Sequence, residues 1–244
     1  MSSSQWAPQL RLFDGHASVS AVDLPGHGSR DRETFTLPRS IDVVDAAVAQ
    51  APTGAAVVVV GHSLGGYVAM AHAAARGDRL DGLVLADCSA TPAGPGAAIY
   101  RAVARLTARI GPQRMTRFND WVLRSRYAPE VIDDVLVGGY FFEATPAAWQ
   151  AVMGSCRPSM LSGFTRPVLV LNGQYDQFRL REKSFVRQIP GARLEIIRGA
   201  GHLATFDRPR AFAEAVLRFA ASVDPSTGDG PLGSSHGHRG PRGS

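Results

Sequence analysis

Short apolar runs alternate with stretches of helical spacing over most of the chain, the rhythm that builds a parallel sheet from strand–helix–strand crossovers. Ala55 to Val60 is a continuous valine-rich run, as expected of a strand covered on both faces. Val19 to Val22, Gly82 to Ala86, Pro167 to Leu171 and Arg193 to Ile197 read as further strands. Helices are expected near Ser40 to Gln50, Leu64 to Arg76, Arg181 to Gln188 and Pro209 to Ser222. The last opens on a proline, favoured in a first turn, and its Phe212, Val216 and Phe219 fall at helical spacing.

Between Ser89 and Thr165 the strand rhythm stops. Leu106, Ile110, Met115, Phe118, Trp121, Val122, Val131, Ile132, Val135 and Leu136 recur at helical intervals. The pattern predicts an α/β core of residues 1–88 and 166–223, a mostly parallel sheet with flanking helices, carrying a helical cap over residues 89–165. From Asp224 the chain turns to Gly, Ser, Pro and His, so residues 224–244 are expected to be disordered, with His236 and His238 an incidental pair rather than a metal site.

Composition narrows the class. A chain of 244 residues, 45% hydrophobic and 19% charged, suits one soluble α/β domain with a sizeable core. Cys88 and Cys156 are far apart with no CxxC pattern, which argues against a disulfide scaffold or a zinc site and suits a reducing compartment. The net charge of +5 comes from scattered arginines, with Lys183 the only lysine, and no basic run points to nucleic acid. The polar opening Met1 to Gln5 is no export signal, and the longest apolar run is too short to span a bilayer. The expectation is a cytoplasmic protein with neither nucleic acid nor membrane as partner.

Candidate chemistry begins at Gly61-His62-Ser63-Leu64-Gly65-Gly66, directly after one predicted strand and opening a helix. A Gly-x-Ser-x-Gly turn of this kind holds a serine on a sharp, strained bend, so that small residues are expected two places before and after it, at Gly61 and Gly65. The helix start also aims backbone N–H groups at developing negative charge. A serine hydroxyl needs a base, and the base an orienting acid. Asp176 follows the strand ending at Leu171, and His202 follows the strand ending at Ile197, so both are expected on the sheet edge that carries Ser63. His62 is too near Ser63 in sequence to be its base and is expected to line the pocket or pack. Asp87, at the end of the Gly82–Ala86 strand, is a rival acid.

At these residues the chain resembles the α/β-hydrolase family, in its branch of small capped serine hydrolases. The resemblance rests on Asp23-Leu24-Pro25-Gly26-His27-Gly28, on the turn at Ser63, on Leu171 to Asp176, on Gly199-Ala200-Gly201-His202 and on the helix start Asp207-Arg208-Pro209, and runs from about Trp6 to Val223. It implies Ser63 as nucleophile, Asp176 as acid, His202 as base and the Leu64 N–H as an oxyanion donor. Asp176 fits the family pattern better than Asp87, which is left a structural or hydrogen-bonding part near the turn. A serine rather than an aspartate nucleophile disfavours the dehalogenases and epoxide hydrolases of the same fold. Trp121, Trp149, Tyr140, Phe141 and Phe142 in the cap are expected mostly to pack its helices, with some lining an apolar pocket.

One part of the family pattern is missing. Its members carry strands before the equivalent of Asp23, and a His-Gly loop that gives a second oxyanion donor. Trp6 to Leu10 looks like the segment that follows this loop, so Met1 is expected to be an internal methionine of a longer reading frame. Without the intervening strand, the Val19–Val22 and Ala55–Val60 strands would expose unpaired edges or pair with one another. Open edges also predict self-association as a homo-oligomer or as aggregate.

The leading expectation is hydrolysis of an ester, lactone or related small carbonyl substrate through an acyl-enzyme, with no metal or organic cofactor. The same residues would also serve cleavage of a carbon–carbon bond or an amide. The alternative outside catalysis is a truncated hydrolase-like protein that binds without turnover.

Overall fold

A computed structural model of the protein describes residues 2–90 and 111–223. Among the described residues four parallel strands form a sheet, β1 (Val58–His62), β2 (Gly82–Ala86), β3 (Val168–Gly173) and β4 (Arg193–Ile197), lying side by side in chain order. The register pairs Val60 with Val84, Val84 with Leu169 and Val170 with Leu194, so the carboxyl ends of all four strands reach one edge. Ligands bind at that edge in open parallel sheets.

Side chains alternate across the sheet, and each face has its own core. Leu83, Leu85, Val168 and Val170 face α3 (Leu64–Arg76), which contributes Tyr67, Val68 and Met70. Val84, Ala86, Leu169 and Leu171 face the other way, against Phe13 of α1 (Ala7–Phe13) and Phe212, Val216 and Phe219 of the C-terminal helix Pro209–Val223. With helices on both sides, β2 and β3 are buried along their whole length, which is why they read as unbroken apolar runs.

Helix α3 forms with its expected bounds, while the other predicted helices form with shifted ends. Helix α2 (Leu37–Val48) starts three residues before the expected Ser40, because Thr36 caps it by accepting the Arg39 N–H at 3.3 Å and Pro38 occupies its first turn. The Arg181–Gln188 stretch shortens to Glu182–Val186. Helix α1 was not expected. It packs on the C-terminal helix, and its buried Gln9 donates from Nε2 to the Thr205 carbonyl at 2.6 Å.

The expected Val19–Val22 strand is a correction. The segment has no strand pairing and Val19 is 44% exposed, while β1 lies at the sheet edge and pairs only with β2 among the described residues. An apolar alternation makes a strand only where a neighbouring edge offers it hydrogen bonds.

Residues 111–165 hold α4 (Pro112–Arg126), α5 (Pro129–Val137), α6 (Thr145–Ser155) and a 3₁₀ turn (Pro158–Gly163), with no strand. Leu123, Ile132 and Val135 of α4 and α5 pack on Phe206, whereas Ala148 and Val152 of α6 join the core of the α3 face. The chain ends with α7 (Glu182–Val186), α8 (Ala204–Asp207) and α9, the Pro209–Val223 helix. Leu106, Ile110 and the 224–244 segment with His236 and His238 lie outside the described residues. Among the described residues no helix is long and apolar enough to cross a membrane.

Candidate active site

The turn between β1 and α3 holds Ser63 at φ 52° and ψ −117°, a conformation that L-residues rarely adopt. The surrounding packing explains how the bend persists. A side chain at Gly61 would start 2.3 Å from the Gly65 carbonyl oxygen, and one at Gly66 would start 2.4 Å from the Cys88 sulfur. Gly65 corrects the sequence reading, since a Cβ there would meet open space. The turn presses the backbone of Gly65 and Gly66 onto Gly61, so crowding falls on Gly61 and Gly66. Leu64 is the first residue of α3, where a backbone N–H has no acceptor within the helix.

Asp176 and His202 arrive from the next two strand ends. The Asp176 carboxylate is buried and accepts the Phe178 N–H at 3.0 Å through Oδ1. The same oxygen accepts the His202 Nδ1–H at 3.0 Å, which leaves His202 Nε2 to accept the Ser63 hydroxyl, also at 3.0 Å. The three side chains expected from the sequence therefore form one hydrogen-bonded series at the carboxyl edge of the sheet. Its closeness depends on Gly173. A Cβ at Gly173 would sit 2.1 Å from the Gly201 carbonyl oxygen, so only glycine lets the His202 loop cross β3 this tightly. Backbone hydrogen bonds from Gln174 to Ile197 (2.9 Å) and from Tyr175 to Ala200 (2.8 Å) tie the two loops together. Asp207 secures the far side, accepting the Gly201 N–H at 2.6 Å through Oδ2. Its Oδ1 accepts from Arg126 and from the Tyr127 hydroxyl, each at 2.8 Å, which connects this loop to α4 and its C-terminal end.

Asp87, the rival acid, makes no hydrogen bond to His202. Its backbone lies at φ 49°, its side chain is fully buried, and Oδ1 accepts the Gly173 N–H at 2.7 Å. Its Oδ2 lies 3.3 Å from Nε2 of His62. His62 is buried and packs, its ring centre 5.4 Å from that of His202. Its Nδ1 accepts from the Gln5 amide at 2.7 Å, and its Nε2–H donates to the His202 carbonyl at 2.8 Å. Burial pulls the His62 pKa down, but the Asp87 carboxylate beside the ring outweighs it and leaves the value raised.

The aromatic residues divide. Trp121 is 67% exposed beside Phe118, Phe141 packs on His27, and Tyr140 stacks on Phe142. Trp149 belongs to a run that leads to the site: Tyr67 to Trp149 at 6.1 Å between ring centres, Trp149 to Phe178 at 6.5 Å, and Phe178 edge-on to His202 at 4.7 Å. Sequence reasoning missed Phe178 and Gln5. The signal for Phe178 was its place two residues after Asp176, where its own N–H is the one the carboxylate caps. Gln5 had no such signal, because only the fold carries the N-terminal segment to His62. Among the described residues no group of three or more His, Cys, Asp or Glu side chains is arranged to hold a metal.

Fold and site together define an α/β protein with a Ser63–His202–Asp176 series at the carboxyl edge of its sheet. Residues 1–215 match the model of the alpha/beta hydrolase family, and the chain belongs to it. A thermophilic esterase from Thermogutta terrifontis, solved with malate bound, is 27% identical with a TM-score of 0.72, over 92% of this chain and 87% of that one. A hydrolase from Pseudomonas aeruginosa is also 27% identical, with a TM-score of 0.68 over 89% and 85% of the two chains. An sn-1-specific diacylglycerol lipase of Mus musculus is 26% identical over 186 residues, 67% of this chain. The match spans 59% of the length of that lipase.

Proposed function

We propose that the protein hydrolyses an ester, lactone or related carbonyl substrate through an acyl-enzyme on Ser63. The observation that carries this reading is the unbroken Asp176–His202–Ser63 series, with both hydrogen bonds at 3.0 Å and the serine at the head of α3. His202 Nε2 takes the Ser63 proton as Oγ attacks the carbonyl, then returns a proton to the leaving alkoxide. Asp176 holds the imidazole with its proton on Nδ1 and stabilises the imidazolium that forms. The Leu64 N–H donates to the oxyanion, helped by the positive end of α3. His202 next activates water, which cleaves the acyl-enzyme and frees Ser63. Trp149 and Phe178, backed by the buried Tyr67 ring, give the substrate an apolar wall beside the base. Esterase and lipase relatives more than 25% identical support ester chemistry. No metal or organic cofactor enters this scheme.

A fluorophosphonate probe, with peptide mapping, and turnover of a nitrophenyl ester test it together. Ser63 is expected to be labelled, and Asp176→Asn to lower kcat by about 10⁴-fold through the wrong imidazole tautomer. A folded sample in which Ser63 is not labelled overturns the reading.

A further inference from the structure

We infer that His62 and Asp87 act as a positioning pair, a buried strut that sets the spacing between the acid loop and the base loop. The inference rests on the proposed roles of Asp176 and His202. Both loops end on this pair. Asp87 holds the end of β3 through the Gly173 N–H at 2.7 Å, three residues before Asp176. His62 holds the other loop through the His202 carbonyl itself, at 2.8 Å, so the tether is on the backbone of the base residue. The carboxylate and the imidazole approach to 3.3 Å, which closes the connection from one loop to the other.

The surroundings fit a fixed strut rather than general packing. The side chains of His62 and Asp87 are 3% and 0% exposed, and burying such groups is costly unless they are paired, as Asp87 Oδ1 is with the Gly173 N–H and His62 with Gln5 and the His202 carbonyl. Asp87 reaches this position from a left-handed backbone, φ 49°, a strain that the packing must sustain. Gln5 donates to His62 Nδ1, which keeps the proton on Nε2, the atom facing the His202 carbonyl and Asp87. Without the Nε2 donor, the His202 carbonyl loses its tether and the imidazole ring drifts from both Ser63 and Asp176.

The full chain with single substitutions tests the strut. His62→Gln keeps an amide N–H within reach of the His202 carbonyl, whereas His62→Asn is polar but too short. In His62→Asn, kcat for a nitrophenyl ester is expected to fall at least about 10-fold with KM nearly unchanged, as misplacement of a catalytic group demands. His62→Gln is expected to recover most of that loss. A second readout is independent of turnover: solvent exchange of the His202 Nδ1 proton by NMR, faster in His62→Asn and near the parent rate in His62→Gln. Equal kcat and equal exchange in the two variants overturn the strut and leave the hydrolase reading standing. Faster exchange in His62→Asn, in a chain that neither turns over ester nor labels at Ser63, upholds the strut and overturns the hydrolase reading.

Discussion

Replacing Gly173 by alanine perturbs the site without touching any of its functional groups. The new methyl would lie 2.1 Å from the Gly201 carbonyl oxygen and 2.9 Å from that of Ala200, both backbone atoms with no rotamer to yield. A carbon–oxygen contact relaxes only near 3.3 Å, so the Gly199–His202 loop must retreat by about 1.2 Å. That movement breaks the backbone bond from Tyr175 to Ala200 and lengthens the 3.0 Å bonds that His202 makes to Asp176 and Ser63. A displacement of ~1 Å in a catalytic group costs about 100-fold in rate, and overpacking of this kind costs roughly 1–3 kcal/mol of stability. Nitrophenyl-ester kinetics and urea unfolding measure the two effects on one sample. Gly65→Ala is the control, since its Cβ meets open space and alanine favours the helix by about 1 kcal/mol. If Gly173→Ala keeps the parent kcat and stability, the close crossing of the two loops does not set the geometry of the site.

Two further outcomes follow from the same contacts. Asp207→Ala leaves the Gly201 N–H and the Tyr127 hydroxyl without their acceptor, and is expected to cost about 1–3 kcal/mol in denaturant midpoints and to lower kcat. Arg126→Ala, whose side chain is 59% exposed in the same cluster, should cost under about 1 kcal/mol; equal losses would refute the division. Burial acts to raise the Asp23 pKa, but hydrogen bonds from Ser3 and Ser29 outweigh it and hold the value below the ordinary 3.8. Its stabilisation is therefore present above 3.8 and is lost as the pH falls through the lowered folded value, and Asp23→Asn should flatten that acid limb in urea midpoints measured from about pH 5 to 2. An acid limb of the same slope in the variant would remove Asp23 from that role.

Much of the site was legible in the chain because it follows strands. β2 and β4 form where their apolar runs predict, and Ser63, Asp176 and His202 stand at fixed distances past strand ends. Parallel strands in register carry such positions to one edge, so local pattern and crossover topology suffice to gather them. The Val19–Val22 strand misled for the opposite reason. Its alternation is a local property, but a strand is a pairing, and nothing in a single run states whether a partner edge lies beside it. Gly65 misled because a motif records spacing and not which backbone atoms collide.

The sequence by itself determined the class of fold, the family and the three side chains of the series, since these depend on periodicity and on motif spacing. Only the tertiary structure decided how they are held. The Gly173–Gly201 crossing, the clasp of Asp207 on the base loop, the Phe178 edge against His202 and the His62–Asp87 contact join residues from separate strand ends and loops. Such contacts depend on distances of a few ångströms across the fold, which no spacing along the chain encodes.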